Sequence, residues 1–142
     1  TRDELGSVHV ALNNAVYRGA EGAFLEESDE AWLRNLEVNL TGPRNICRAV
    51  LPLMVKQRWG RIINFSGIAP FLGGSVSKGM AKLGIIGFTR GVAREFAEHE
   101  ITANCIGPGT WNEVQPGPSQ ADRDPGINAS PVSCSVQPGP QQ

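Results

Sequence analysis

Residues 61–90 read RIINFSGIAPFLGGSVSKGMAKLGIIGFTR. Ile62, Ile63 and Phe65 make a short apolar run continuous enough for a parallel strand buried on both faces, a glycine-containing loop interrupts it, and a helical pattern follows from about Ser75 to Glu98. Lys78 and Lys82 lie four residues apart in that helix, so one helical face aims both amines at whatever sits above the strand end. Ser66 stands at that end, where its hydroxyl reads either as a loop hydrogen bond or as a catalytic group. The helix carries Val76, Met80, Leu83, Ile86, Phe88, Val92 and Phe96 as its apolar members, and glycines 84, 87 and 91 recur along it. Glycines cost helix propensity, so close approach of another backbone, from the sheet or from a second subunit, is the expected compensation.

Moving toward the amino terminus, Gln57-Arg58-Trp59-Gly60 ends an earlier helix, with Gly60 suited to a left-handed terminal position. That helix begins at Ser28, an N-cap residue followed by acidic Asp29 and Glu30. Trp32, Leu33, Leu36 and Leu40 recur at helical spacing, and Ile46, Ala49, Val50 and Leu53 resume the pattern. Pro43 removes the amide that would bond the carbonyl of residue 39, which predicts a bend there and leaves Asn39 as a polar side chain beside a distorted turn. Before this helix, residues 8–13 form another apolar strand ending at Asn13-Asn14, two carboxamides able to bond either loop backbone or a ligand.

Beyond the central helix, ITANCI at 101–106 predicts a third strand, and Gly107-Pro108-Gly109-Thr110 turns away from its end. Strands alternating with helical crossovers specify an α/β fold: a partial Rossmann-like, doubly wound parallel sheet of three strands. All three strand tips fall on the carboxyl edge, where open α/β sheets place ligands. This domain occupies residues 1–110. Residues 111–142 hold six of the ten prolines and few charges, so they are expected to form an irregular, disordered tail.

With 13 basic against 14 acidic side chains, the chain lacks the surface expected of a nucleic-acid binder. It contains no 18-residue apolar run and no leader pattern, so a cytoplasmic protein that does not span a membrane is expected. Cys47, Cys105 and Cys134 are widely separated and form no CxxC pair, which fits a reducing compartment. His9 and His99 do not make a metal constellation, and Ser66 has no recognisable His–Asp relay.

The motifs, taken in order, resemble the short-chain dehydrogenase/reductase family, in particular its ketoacyl-reductase-like members. LNNA at 12–15 is similar to the family's NNAG, and VNLTG at 38–42 to the segment with the catalytic asparagine. GRIINFSG at 60–67 resembles the strand ending in the catalytic serine. GMAKLGIIGFTRGVAREFA at 79–97 resembles the active-site helix, and ITANCIGPGT at 101–110 the strand and Pro-Gly loop beside the nicotinamide. The resemblance covers about residues 5–110.

It implies an NAD- or NADP-dependent oxidoreductase that transfers hydride between the cofactor and a small carbonyl or alcohol substrate. The implied catalytic set is Asn39, Ser66, Lys78 and Lys82; the implied cofactor contacts are Asn13, Asn14, Ala15, Lys82, Pro108 and Gly109; no metal is implied. Lys82 matches the lysine that grips the nicotinamide ribose, whereas Lys78 occupies the position of the family's catalytic tyrosine. Gly67 takes the place of the second serine in an NxSS-like run, which puts Ser66 one residue early. No TGxxxGxG pyrophosphate loop precedes Leu12, so an amino-terminally truncated family member with weak or no turnover is expected. The alternative is an interaction or scaffold module. A homo-oligomer through the helix over 76–98 fits either reading.

Overall fold

The computed structural model describes residues 6–18, 23–72, 75–108 and 132–135. Among these, β1 (Val10–Asn13), β2 (Gly60–Phe65), β3 (Ile101–Gly107) and β4 (Val132–Ser135) form one sheet in the order β1-β2-β3-β4. The first three strands run parallel, with Leu12 opposite Ile63 and Phe65 opposite Ile106. The expected parallel core is present. β4 adds a fourth, antiparallel strand beside β3. It comes from the segment expected to be irregular; the remainder of 111–142 lies outside the described residues.

The first crossover is nearly continuous helix. Ser28 caps α1 (Asp29–Leu36) by accepting the Ala31 amide at 3.2 Å. A π turn follows at Glu37–Thr41, and α2 (Gly42–Gln57) then carries Pro43 in its first turn. The expected bend at residue 39 is therefore this π turn. Proline has no N–H for the Asn39 carbonyl, and widening the turn by one residue is a common way to absorb such a loss.

On α2 the buried side chains are Pro43, Cys47, Leu51 and Met54, whereas Ile46 is exposed. The inward stripe is thus rotated from the Ile46, Ala49, Val50, Leu53 pattern. Gly60 also plays a different part from the one expected. Arg58 takes the left-handed position at φ 51°, while Gly60 opens β2 where a Cβ would meet the Met54 side chain, with Cγ at 2.7 Å.

The second crossover contains α3 (Ala69–Leu72) and the long α4 (Val76–Glu95), which Ser75 caps by accepting the Lys78 amide at 3.4 Å. Its buried face is Ser77, Ala81, Lys82, Ile85, Thr89, Val92 and Ala93; Val76, Met80 and Leu83 point outward. Small residues on the inner face let the helix approach the sheet closely. Of the helical glycines at 84, 87 and 91, only Gly84 has a close neighbour, with Leu40 Cδ1 3.2 Å from the position of a Cβ; Gly87 and Gly91 face open space.

Both long helices pack on one face of the sheet. Ala11, Ile62, Ile101 and Ala103 from the strands meet Cys47, Leu51 and Met54 from α2 and Val92 and Ala93 from α4. The opposite face is not buried as expected for a doubly covered parallel sheet: Val10 is 53% exposed, Leu12 58% and Ile106 43%. The fold described here is two-layered, with β1 at one edge of the sheet.

Candidate active site

The parallel arrangement brings the ends of β1, β2 and β3 to one rim, and polar side chains tie that rim to the helices. Asn13 donates to Asn64 Oδ1 at 2.7 Å, Asn64 donates to Thr89 Oγ1 at 2.8 Å, and Thr89 donates to the Ile85 carbonyl at 2.6 Å. Asn13 also lies 3.9 Å from Cys47 Sγ. Asn64 and Thr89 are buried, so the chain of hydrogen bonds satisfies groups that would otherwise be costly to desolvate. Asn14 and Ala15 are exposed beyond it. Of the two uses open to Asn13, its amide takes the intramolecular one.

Asn39, 2% exposed, is held on three sides. Its Oδ1 accepts the Tyr17 amide at 3.3 Å, and its Nδ2 donates to the Tyr17 carbonyl at 3.1 Å and to Asn35 Oδ1 at 2.7 Å. The side chain pins the segment after β1 onto the π turn. Its backbone carbonyl is the one that Pro43 deprives of an amide. Leu40, the next residue, packs on Gly84, which places the π turn against α4 two residues from Lys82.

Lys82 is 7% exposed and donates from Nζ to the Phe65 carbonyl at 3.0 Å. Ser66 Oγ donates to the Lys82 carbonyl at 2.9 Å. Burial holds the Lys82 amine below the usual lysine range; Cys105 works in the opposite direction, and the charge on Lys78 adds to the depression. Lys78 is half-buried one turn earlier. The structure thus joins Ser66 and Lys82 directly, sets Lys78 near Lys82, and seats Asn39 across the helix contact. Pro108 is exposed at the end of β3, and Gly109 lies outside the described residues.

Several buried polar groups had no sequence signal of their own. Asn35 is fully buried, and its Nδ2 has no hydrogen-bond partner among the described residues. Ser77 donates to Glu27 Oε2, while Glu27 Oε1 has no such partner. Asn64 lies near a strand tip and Thr89 within a long helix, positions that carry no mark of the bond between them. Periodicity does not distinguish a polar residue that joins two elements from one facing water.

Tyr17 lines a groove of about 920 Å³ with Ser28, Glu30, Ala31, Leu33, Arg34 and Glu37. Arg34 and Glu37 form an ion pair across one helical turn at 2.6 Å. None of Asn39, Ser66, Lys78 and Lys82 lines this groove. Among the described residues, no cluster of side chains has a metal-binding arrangement, and no helix is long and apolar enough to cross a membrane.

The family model for short chain dehydrogenases matches residues 1–121. The 3-oxoacyl-(acyl-carrier-protein) reductase of Vibrio cholerae is 38% identical over 109 residues, covering 75% of this chain and 44% of that protein. An NAD+-bound xylitol dehydrogenase superposes with a TM-score of 0.72 at 31% identity, covering 76% of this chain and 42% of the other. A structure of ElxO with NADP bound gives a TM-score of 0.72 at 30% identity, covering 76% and 44%. The chain spans less than half the length of these relatives. The matched motifs, the parallel sheet and the extent of the family match agree: the chain belongs to the short chain dehydrogenase family.

Proposed function

We propose that this chain contributes the substrate-side strands of an NAD- or NADP-dependent oxidoreductase acting on a small carbonyl or alcohol, with turnover limited by the residues at its proton-transfer position. The observation carrying this reading is the placement of Lys82, a buried amine held against the Phe65 carbonyl at the carboxyl edge of β2. A lysine fixed there is suited to donate hydrogen bonds to a ribose diol. The residues present fit the nicotinamide-ribose end of a dinucleotide, where a fixed ammonium can bond a diol. When bound, the nicotinamide supplies the hydride.

Within this chain, Lys82 would bind and orient the ribose, Asn39 would hold the helix turn beside it, and Asn13, Asn14, Ala15, Pro108 and Gly109 would border the cofactor. Ser66 would act chiefly by fixing Lys82, since its hydroxyl is already committed to the Lys82 carbonyl. On the resemblance of the motifs, Lys78 takes the position of the family's tyrosine. An ammonium neighbouring Lys82 is a poorer match than a phenol to proton delivery onto a developing alkoxide. Cofactor binding is the direct test: calorimetry with NADH and NADPH on the chain and on Lys82→Met. Weak binding, lost in Lys82→Met, supports the assignment; equal binding by both removes Lys82 from the cofactor site.

A second reading, an inactive interaction module, is favoured by exposed apolar surface. Val76, Met80 and Leu83 form an outward stripe on α4, and Val10, Leu12 and Ile106 lie exposed on the sheet. Under either reading the α4 stripe is the surface proposed for a homo-oligomer. Sedimentation of the chain and of Met80→Glu/Leu83→Glu tests it: assembly that survives both charges rules this stripe out as the contact. A cytoplasmic setting accords with both readings.

A further inference from the structure

The chain carries its lysines at 56, 78 and 82. Lys56 is exposed near the end of α2, whereas Lys78 and Lys82 share one face of α4, four residues apart. Lys78 is half-buried, and Lys82 is 7% exposed. Two ammonium groups on adjacent turns repel each other, and water screens that repulsion poorly where one of them is buried. Burial favours the neutral amine at Lys82 most strongly; Cys105 on β3 opposes that effect, and the charge on Lys78 adds to it. Glu27, a carboxylate that touches α4, is bonded by Ser77 in the first turn of the helix.

Lys82 is also held in a geometry that suits attack on a carbonyl group. Its Nζ donates to the Phe65 carbonyl at 3.0 Å, and its backbone carbonyl is fixed by Ser66 Oγ at 2.9 Å. A neutral primary amine has two N–H bonds and a lone pair, so anchoring one N–H orients the nitrogen and leaves the lone pair for attack. A protonated imine on the same nitrogen has one N–H, and the Phe65 carbonyl is already placed to accept it. Desolvation and a cationic neighbour both turn a lysine into a nucleophile toward carbonyl substrates, and Lys82 has both. Its small remaining exposure confines access to small compounds.

We propose that Lys82, paired with Lys78, is a nucleophilic amine that captures small aldehydes and ketones as a Schiff base, a covalent chemistry that needs no nicotinamide. The Lys82 nitrogen bonds to the carbonyl carbon as the π pair moves to oxygen, and one amine proton passes to that oxygen to give a carbinolamine. Loss of the second amine proton together with the hydroxyl, as water, leaves the C=N bond. Nothing is oxidised or reduced: both amine hydrogens and the carbonyl oxygen depart as one water, and hydrolysis reverses the sequence. A proton from solvent then makes the iminium that the Phe65 carbonyl holds. Charged, the same amine suits a ribose diol; neutral, it suits a carbonyl carbon. The capture therefore stands apart from cofactor binding, which calorimetry tests separately.

The test is reductive trapping on the full chain with acetone and cyanoborohydride, which convert an imine to a stable isopropyl amine, followed by peptide mapping of the three lysines. Near neutral pH, Lys82 should be modified faster than exposed Lys56 by about tenfold or more. The pH at which Lys82 modification reaches half its maximum should rise in Lys78→Met, which removes the charge but keeps an unbranched stem. It should stay in place in Lys78→Arg, which keeps the charge. A side chain with a purely structural role would not produce that split. The wild-type map carries the test even where a variant folds poorly. Modification of Lys82 no faster than that of Lys56, modification favouring Lys78, or the same midpoint in Lys78→Met and Lys78→Arg would each overturn the proposal.

Discussion

Ser66 and Lys82 hold each other at the carboxyl edge of β2: the serine hydroxyl donates to the lysine carbonyl at 2.9 Å, and the lysine amine reaches back to the carbonyl of Phe65 at 3.0 Å. The second bond orients the charge, and the first fixes the helix that carries it. Both donors are buried or nearly so. Ser66→Ala should therefore cost about 1–3 kcal/mol, the range for a buried neutral hydrogen bond lost with one partner left behind. Urea unfolding would measure it as a lower midpoint with an unchanged slope. A loss below about 0.3 kcal/mol would mean that water replaces the hydroxyl without penalty.

The Asn13–Asn64–Thr89 chain predicts coupling rather than simple loss. Asn64→Ala removes a buried side chain that both accepts from Asn13 and donates to Thr89, for an expected cost of about 2–4 kcal/mol. Asn13→Ala should cost less, because Asn13 is only partly buried. In the double variant the two costs should fall short of additivity by about 0.5–3 kcal/mol, as residues of one hydrogen-bond network do. Strict additivity would show that Asn13 and Asn64 stabilise the fold independently.

These polar links also mark where the sequence was legible and where it was not. Pro43 announced the distortion at Asn39, Ser28 announced the start of α1, and the apolar runs gave three parallel strands. The phase of the two long helices was harder to read. On α4, large apolar residues such as Val76, Met80 and Leu83 point outward, while Ser77, Thr89 and the lysine at 82 are buried. Close packing on the sheet selects small residues, and hydrogen bonds make their polar atoms tolerable; a count of apolar positions registers neither effect. Likewise, the opposition of Cys105 and Cys134 arises from strand register between distant segments. Their spacing along the chain contains no trace of it.

Two buried groups give opposite alkaline signatures. The Lys82 amine is held below its ordinary 10.5 chiefly by burial, so the unfolded chain binds more protons between the depressed value and 10.5. Its contribution to stability therefore rises with pH through that window and is lost as pH falls through the folded value. The Cys47 thiol is raised from 9.0 to about 11, so the folded chain holds more protons in that interval and stability falls as pH increases across it. Unfolding free energies measured from pH 7 to 11 should show Lys82→Met losing the upward component and Cys47→Ala losing the downward one. Changes of slope in the reverse sense would contradict both assignments; the absolute stabilities of the variants do not affect the comparison.

Lys78 and Gly67 stand at the two positions where substitution bears on proton transfer. Lys78→Tyr places a phenol one helical turn before Lys82, whose amine would favour the phenolate and so improve proton exchange with a carbonyl substrate. General acid–base groups typically contribute about 10²–10⁴-fold, which bounds the gain, and cofactor positioning is a separate requirement. Restoring a hydroxyl at 67 is less straightforward than the sequence implies. Gly67 has φ +156°, a backbone conformation that side-chain-bearing residues rarely adopt, although a Cβ there meets nothing within 4 Å. Gly67→Ser should consequently cost about 1–3 kcal/mol in backbone strain or shift the loop. Hydride transfer from NADH and NADPH to a panel of small ketones and ketoesters, followed by the absorbance of the reduced cofactor, should show a modest rise in Lys78→Tyr and little further rise in the double variant. Robust turnover by the unmodified chain, abolished in Lys78→Ala while cofactor binding persists, would instead establish Lys78 itself as the working acid–base group.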